Sequence, residues 1–430
     1  MRGFTLSDLE GFRRLPETTR ADLEAAGVHG TRAVPLESVC HYGETSGTSG
    51  GAVNSTWLTA EDLDSNARAL MARHPEVFAP GRILLNRFPF MAAPAHLMQR
   101  IAQLGGGVAV PAGNINWDVP FPRALDLARR TGVQVVAGMP LEPIVLAQIA
   151  RSQGIDPARD FAIDTFFLGG APLPPVLQER IEREWGARVI ELYGSTETML
   201  LGTSCAHRSL HLEEDLVYCE FLDPDTGKPV GVDREARLLV TTLGIQGSPL
   251  LRLDTGDRVK LHPPCACGDP RQAITVLGRA ADAVEMAGRR LHSYELIEAG
   301  AAVADALDSA VFFAVVLPDR VLLRVESECP ASGAAEAAAA AFGEVPVEVE
   351  CTAPNTLLDA EHLARSPRVY KPVVASDWRR PGRRIVSVTE GMMEWPSLGF
   401  GEARRWGARV LRAAWRRRGL ARELKRGSSS

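Results

Sequence analysis

Apolar and polar positions follow two regimes along this chain. Between residues 59 and 195, short apolar runs of strand length take turns with stretches of helical spacing. The strand-like runs are RILLNRF, GGVAVPA, VQVVAGMP, DTFFLGG and RVIELYG; the helical ones include AHLMQRIAQL, RALDLARRT, PIVLAQIARSQ and VLQERIEREWG. Strands alternating with helices predict crossover units and a mainly parallel sheet. TAEDLDSNARALMARHPEVF reads as a further helix, with Thr59 as its cap and Glu61 in the first turn, where the helix dipole favours a carboxylate. Upstream, LSDLEGFRRL has helical spacing, with Ser7 as a candidate N-cap. From Leu216 to Leu261 the regime changes. VYCEFLDPDTGKPV and EARLLVTTLG predict hairpin strands around turn-rich DPDTGKP, and so a smaller β-rich subdomain. Further on, AVFFAVVLPDRVLLRVES and VPVEVECT read as strands, with an Ala-rich helix over residues 331–342 between them. The Ala, Leu and Arg content of the last stretch, GMMEWPSLGFGEARRWGARVLRAAWRRRGLARELKRGSSS, favours a helix.

The expected fold class is therefore α/β. A large N-terminal domain (1–278) has mainly parallel sheets plus a β-rich subdomain at about 203–270; a small, mobile α+β C-terminal domain covers 279–385; a basic helical tail covers 386–430. A length of 430 residues accommodates one large and one small domain with a substantial core, and 45% hydrophobic content fits a globular chain. A net charge of −5 argues against a general nucleic-acid binder. No apolar run reaches the ~18 residues of a bilayer span, so no membrane partner is expected. MRGFTLSDLEGFRRL has no long apolar core, so a secretory signal is not expected. Seven cysteines in a chain of this length do not suggest a disulfide scaffold, and cytoplasmic residence with reduced thiols is the expectation. Monomer and homodimer both stay open.

Composition leaves the chemistry unnamed; four short segments narrow it. TSGTSGG at 45–51 combines Gly47 and Gly50, which permit positive φ and close approach of backbone N–H groups to an anion, with the hydroxyls of Ser46, Thr48 and Ser49. It suits a triphosphate cradle but is no Walker loop, since no Lys-Ser or Lys-Thr pair follows. ELYGSTE at 191–197 closes a strand-like run, and the C-terminal edge of a parallel strand is where open α/β sheets bind ligands. Its bland reading is a capped strand-to-helix turn with Ser195 or Thr196 as N-cap. LDTGDRV at 253–259 sets Asp257 after Gly256 in a tight turn, and LGRAADAVEMAGRRLHSYELIE at 277–298 contains Arg279. Arg252, just ahead of DTGD, is expected to pair with Asp254 in a structural role.

Metal-type residues lie on two further segments: Cys205, His207 and His211 on the first, Cys265 and Cys267 in a C-x-C-G knuckle on the second. Four soft or borderline ligands from two hairpin ends suit a closed tetrahedral Zn²⁺ site, and a closed site is structural. Cys40, Cys219 and Cys351 stand alone and are expected in the core.

In this order and at these separations, the four segments resemble the acyl-adenylate-forming ligases, and within them the shorter phenylacetate–CoA ligase branch. The resemblance runs from about Gly43 to about Trp378. It implies ATP, Mg²⁺ and a small-molecule carboxylic acid. By resemblance, Tyr193 stacks near adenine, Gly194 and Ser195 belong to the nucleotide wall, Thr196 reaches the phosphate and Glu197 holds Mg²⁺. The GGAP segment, with Gly169, Gly170 and Ala171, resembles the glycine-rich wall between adenine and acyl pocket. Asp257 would accept from the ribose hydroxyls, and Arg279 would approach the ribose or phosphate side. The family's lysine that ends the phosphate loop is replaced here by Gly51. Its C-terminal catalytic lysine matches Lys371 in PRVYKPVVASDW, one residue short of the usual frame and without its glycine. The branch's zinc pattern matches Cys205, His211, Cys265 and Cys267, with His207 as the spare. By position, Phe88, Phe90, His96, Met139 and Ala171 are candidates for the acyl pocket.

The implied reaction is adenylation of an aromatic or small acid, followed by transfer to a thiol. Rotation of the small domain about residues 278–282 would separate the two steps. Coenzyme A is the implied acceptor. The alternatives are phosphopantetheine on an acyl carrier protein, as in natural-product biosynthesis, where the basic tail would meet an acidic partner; an acyl-adenylate-dependent amide ligase; and a noncatalytic ligand-binding relative.

Overall fold

The computed structural model describes residues 9–44, 54–113, 119–328, 331–365, 373–380 and 384–392. Its centre is an 11-stranded mixed sheet. Five strands are parallel, in the order β4 (Val108–Pro111), β3 (Ile83–Asn86), β5 (Val135–Gly138), β6 (Thr165–Gly169) and β7 (Arg188–Ser195). Every residue of β5 and β6 is buried, as strands covered on both faces by crossover helices must be. The crossovers are α4 (Ala93–Leu104), α5 (Phe121–Thr131), α6 (Glu142–Ser152) and α7 (Pro175–Trp185). In α5 the buried positions Phe121, Ala124, Leu125 and Ala128 keep the spacing of one helical face, and the helix stops at Gly132 in a left-handed conformation.

The β-rich stretch is not a separate layer. From β7 the sheet continues antiparallel through β8 (Met199–Ser204), β9 (Leu210–Leu212), β13 (Ala273–Arg279), β12 (Leu253–Leu261), β11 (Glu235–Thr242) and β10 (Val217–Leu222). The expected hairpin is β10–β11. Short β9 joins the two halves, because β8 pairs with one of its edges and β13 with the other.

A second hairpin, β1 (Val39–Glu44) with β2 (Ser55–Thr59), flanks the sheet. The Thr59 cap of α3 (Ala60–Arg73) is a full capping box: Asp62 N donates to Thr59 Oγ1 at 3.1 Å, and Thr59 N donates to Asp62 Oδ2 at 2.8 Å. The buried Asp62 carboxylate also accepts from the backbone of Gln246 and Gly247, tying the hairpin to the loop after β11. At the N-terminal side, α1 (Leu9–Arg13) and α2 (Arg20–Gly30) precede the hairpin. Ser7, the expected cap, lies outside the described residues. Thr18 joins the strand that carries DTGD: Thr18 N donates to Arg252 O at 3.0 Å and Asp254 N to Thr18 O at 2.9 Å.

The expected division at residue 278 falls inside β13, which runs into a 3₁₀ turn at Ala280–Asp282. Beyond it, a four-stranded mixed sheet is ordered β18 (Val347–Thr352), β17 (Val321–Glu326), β16 (Phe312–Val316), β19 (Ala375–Asp377). Helices α8 (Ser293–Ala306) and α9 (Ala331–Phe342) pack with it. This part meets the large sheet's helices through charge pairs: Arg180 Nη1 lies 3.4 Å from Asp305 Oδ1, and Arg183 pairs with the same carboxylate. Where the basic tail was expected to begin, α11 (Val388–Met392) instead buries Val388 and Met392; residues 393–430 lie outside the described residues. No helix among the described residues is long and apolar enough to cross a membrane.

Candidate active site

The C-terminal ends of the parallel strands point the same way, so the residues that follow them collect along one edge. Phe88 follows β3, Met139 follows β5, Gly170 and Ala171 follow β6, and Tyr193, Gly194 and Ser195 end β7. A cleft of about 250 Å³ opens there, with Ala171, Tyr193, Glu197, Asp257 and Arg279 among its walls.

Two strands bring the polar groups together. On β7, Tyr193 points into the cleft and donates its hydroxyl to Asp257 Oδ2 on β12 at 2.7 Å. Asp257 pairs across the ladder with Arg279 at the end of β13. Burial raises the Asp257 carboxyl above its ordinary range, opposed by the Tyr193 hydrogen bond and the Arg279 charge. Burial, with the Asp257 charge beside it, also lifts the Tyr193 phenol. DTGD is not the expected tight turn but a bulge within β12 at Gly256 (φ +75°), fixed locally: Gly256 N donates to Asp254 Oδ1 at 2.9 Å and Asp257 N to Thr255 Oγ1 at 3.1 Å.

YGSTE leads into no helix. It is the turn of the β7–β8 hairpin, closed by reciprocal bonds between Ser195 and Thr198. The strands approach so closely that a Cβ on Gly194 would stand 2.0 Å from Met199 O, so the glycine is required by space. Glu197 Oε1 accepts from Asn54 Nδ2 at 3.1 Å, which links the YGSTE turn to a residue three positions past the glycine-rich loop. Gly170, with φ +86°, turns the chain beside Met139.

Among the acyl-pocket candidates, Phe88 and Met139 are buried in the main core, whereas Phe90 is 44% exposed. His96 on α4 meets His41 of β1 in a tilted ring contact, with ring centroids 3.8 Å apart and the planes at 41°. Ser46, Gly47, Thr48, Ser49, Gly50 and Lys371 lie outside the described residues. Arg252 does not pair with Asp254. Its backbone is left-handed (φ +47°), and the side chain turns to Glu220, with Nε at 2.8 Å from Oε2; Asp254 is held instead by Arg237 at 2.9 Å.

Three cleft residues were given no role from the sequence. Glu191 has the same parity as Tyr193 on β7, so the two-residue repeat of a strand was the available signal. Burial, with no cationic partner among the described residues, pushes its carboxyl up to about 8. Asn54 carried no signal beyond its closeness to the glycine-rich loop. Arg20 reaches the cleft from α2 only because of the pairing between Thr18 and β12, which no local pattern announces.

The metal-type residues form a second cluster. Cys205 follows β8, His211 lies in β9, and Cys265 and Cys267 stand in the turn between β12 and β13. The pairing of His211 with Ala273 brings the two segments together. Four ligand atoms, from Cys205, His211, Cys265 and Cys267, lie within 4.8 Å of one another. Cys205 Sγ is 3.9 Å from Cys265 Sγ, and Cys267 Sγ is 3.4 Å from His211 Nε2. A tetrahedron with Zn–S near 2.3 Å has sulfur–sulfur edges of roughly 3.8 Å, so this donor set fits zinc. His211 Nδ1 lies 3.1 Å from Arg271 O, a partner that fixes the tautomer with Nε2 turned to the thiols. Hydrogen bonding from Ser209 first, and from the backbone and side chain of Cys267, lowers the Cys265 thiol to about 6. His207 is exposed and outside the group. Of the lone cysteines, Cys40 is exposed and Cys219 and Cys351 are half-buried.

Residues 45–245 match the family model of the AMP-binding enzymes. A phenylacetate-coenzyme A ligase of Thermus thermophilus is 28% identical over 291 residues, 65% of this chain and 63% of that protein. One from Aromatoleum evansii is 25% identical over 68% of this chain and 66% of its own length. The matched stretch thus spans just under two thirds of these relatives. Among solved structures, 2-hydroxyisobutyryl-CoA ligase in its postadenylation state shares the fold with a TM-score of 0.73 at 22% identity, covering 87% of this chain and 82% of that one. The same enzyme in its thioesterification state gives 0.57, at 22% identity over 86% and 81%. The chain is thus similar to the AMP-binding enzymes over residues 45–245 and to phenylacetate-coenzyme A ligases over about two thirds of its length.

Proposed function

We propose that this chain uses ATP to activate a small carboxylic acid, of aromatic type, as an acyl-AMP and then passes the acyl group to the thiol of coenzyme A. The observation that carries the reading is the meeting of Tyr193, Asp257, Glu197 and Arg279 in one cleft at the strand ends. A nucleotide needs a flat surface for its base, an acceptor for its ribose hydroxyls, and positive charge for its phosphates. Tyr193 with the backbone of residues 169–171 supplies the first, Asp257 the second, and Arg279, together with the glycine-rich loop at 46–50, the third.

In the first step a substrate carboxylate oxygen attacks the α-phosphorus, the bond to the bridging oxygen breaks, and pyrophosphate leaves. Thr196 and Lys371 hold the phosphate oxygens while charge builds on them, so that positioning and electrostatics supply most of the rate. Glu197 offers hard oxygen donors at the cleft and suits Mg²⁺, which when bound would neutralise phosphate charge. In the second step the thiol sulfur attacks the acyl carbon and its proton passes to solvent; the bond from the acyl carbon to the phosphate-bound oxygen breaks, and AMP leaves with that oxygen and the bonding pair. Lys371 would have to withdraw between the steps, which assigns residues 278–282 the role of a hinge. The cysteine–histidine cluster is read as a structural zinc site, closed to substrate.

The test is carboxylate-dependent exchange of labelled pyrophosphate into ATP over a panel of aromatic and short aliphatic acids. Exchange with at least one acid is expected, and Glu197→Gln should remove most of it. Protein that binds ATP but exchanges with no acid would count against the reading.

A further inference from the structure

β1 leads directly into the glycine-rich loop, and its side chains alternate. Tyr42 faces one way, against Trp57 with ring centroids 4.5 Å apart. His41 and Gly43 share the other face. A Cβ added to Gly43 would stand 3.3 Å from His41 Nε2, 3.3 Å from Thr196 Cγ2 and 3.1 Å from Met91 O. His41 Nε2 and the Thr196 methyl group therefore crowd the same side of Gly43, so that His41 stands beside the threonine of YGSTE. The His41 ring lies on His96, whose own Nε2 is already engaged 2.9 Å from Phe90 O. His41 Nε2 is buried and meets no hydrogen-bond partner among the described residues. A buried polar atom left in that state costs desolvation energy that a ligand atom could return.

We propose that His41 Nε2 reads a hydroxyl group of the acid substrate close to its carboxylate, so that the preferred acids are hydroxy acids. This rests on the ligase reading, because Thr196 marks where carboxylate and α-phosphate meet. Burial, and His96 beside it, hold the imidazole neutral, with its pKa lowered to about 4. Nε2 of a neutral imidazole is a donor in one tautomer and an acceptor in the other. A carboxylate oxygen can answer only the first, whereas a hydroxyl answers both, so a hydroxy acid gives Nε2 a partner in either tautomer.

Two matched pairs test it: benzoate against 2-hydroxybenzoate, and phenylacetate against 2-hydroxy-2-phenylacetate. Calorimetric binding and acid-dependent pyrophosphate release are measured in parallel for the unaltered chain, His41→Phe and His41→Gln. One hydrogen bond of this kind is worth about tenfold. The unaltered chain should favour the hydroxylated member of at least one pair by about that factor. His41→Phe keeps the ring contact with His96 and should bring the ratio close to one through KM for the hydroxy acid, with KM for ATP held. His41→Gln, with an amide nitrogen near the same place, should restore part of it. His41→Leu serves equally should phenylalanine not be accommodated. The proposal is overturned by an unaltered chain without preference in either pair, by a preference that survives loss of the imidazole, or by no binding of any hydroxy acid. Binding separates this from the ligase reading. His41-dependent binding without pyrophosphate release sinks the ligase and keeps the hydroxyl contact; release that ignores the hydroxyl does the reverse.

Discussion

The hydroxyl of Tyr193 donates to the carboxylate of Asp257 at 2.7 Å across 64 residues of sequence, joining the YGSTE strand to the DTGD strand. This bond ties the tyrosine ring to the cleft wall and holds one oxygen of Asp257, leaving the other for the ribose of the proposed nucleotide. The two motifs thereby act as one unit.

Removing the bond should loosen nucleotide binding before it touches the chemistry. Tyr193→Phe keeps the ring and loses about 1 kcal/mol of hydrogen bonding. KM for ATP should rise roughly 3- to 10-fold, with kcat nearly unchanged. Asp257→Ala also removes the ribose acceptor and should raise it on the order of 100-fold or more. Steady-state pyrophosphate release at saturating acid measures both. Unchanged KM in Tyr193→Phe would show that the bond only braces the sheet.

Much of this was legible because the signals are local. The α5 face, the largely apolar runs of β5 and β6 and the Thr59 cap follow from spacing within a few residues. What escaped was set by distant pairing. The β-rich stretch looked like a unit of its own, yet three residues of β9 stitch it to the parallel strands. Arg252 and Asp254, two apart on a regular strand, would share a face; the left-handed φ at Arg252 turns its side chain to Glu220 instead. The metal cluster was legible from residue type, but the choice of His211 over His207 came from the family pattern. The β9–β13 pairing seats His211 and leaves His207 outside.

Zinc should therefore be near-stoichiometric in protein purified without chelator. The site bridges two hairpin ends, so its loss releases both. Chelation under reducing conditions should lower the melting temperature on the order of 10 °C. His211→Ala should lose the metal and His207→Ala should keep it. Metal analysis that finds no zinc, with melting indifferent to chelator, would remove the metal from the account.

Glu191 gives a pH signature. Its carboxyl is raised from 4.5 to about 8 in the folded chain. Below 4.5 both folded and unfolded forms carry the proton, and this residue costs nothing. As pH rises from 4.5 the unfolded form ionises first, so stability falls until the folded form also ionises near 8, and is level above that. The slope is roughly 1.4 kcal/mol per pH unit within that window. Glu191→Gln should remove this component, so the stability difference between variant and unaltered chain should grow from pH 5 to 8 in the variant's favour. Denaturant midpoints across that range measure it. A constant difference would mean the carboxyl titrates normally.

Under the proposed mechanism Lys371 should separate the two half-reactions. A cation beside the α-phosphate stabilises charge that grows during adenylation, whereas thioester formation needs that cation elsewhere. Loss of one well-placed charged contact in a water-poor site costs on the order of 10²–10³ in rate. Lys371→Ala should slow acyl-AMP formation by about that factor and leave conversion of supplied acyl-AMP to the CoA thioester much less affected. Single-turnover measurement of each step makes the comparison. Equal loss in both would point to damage to the small C-terminal sheet, and no loss in either would make Lys371 a surface residue. The departures around it, one residue fewer and no glycine, concern the loop's length and turn. They leave in place the charge on which the prediction depends.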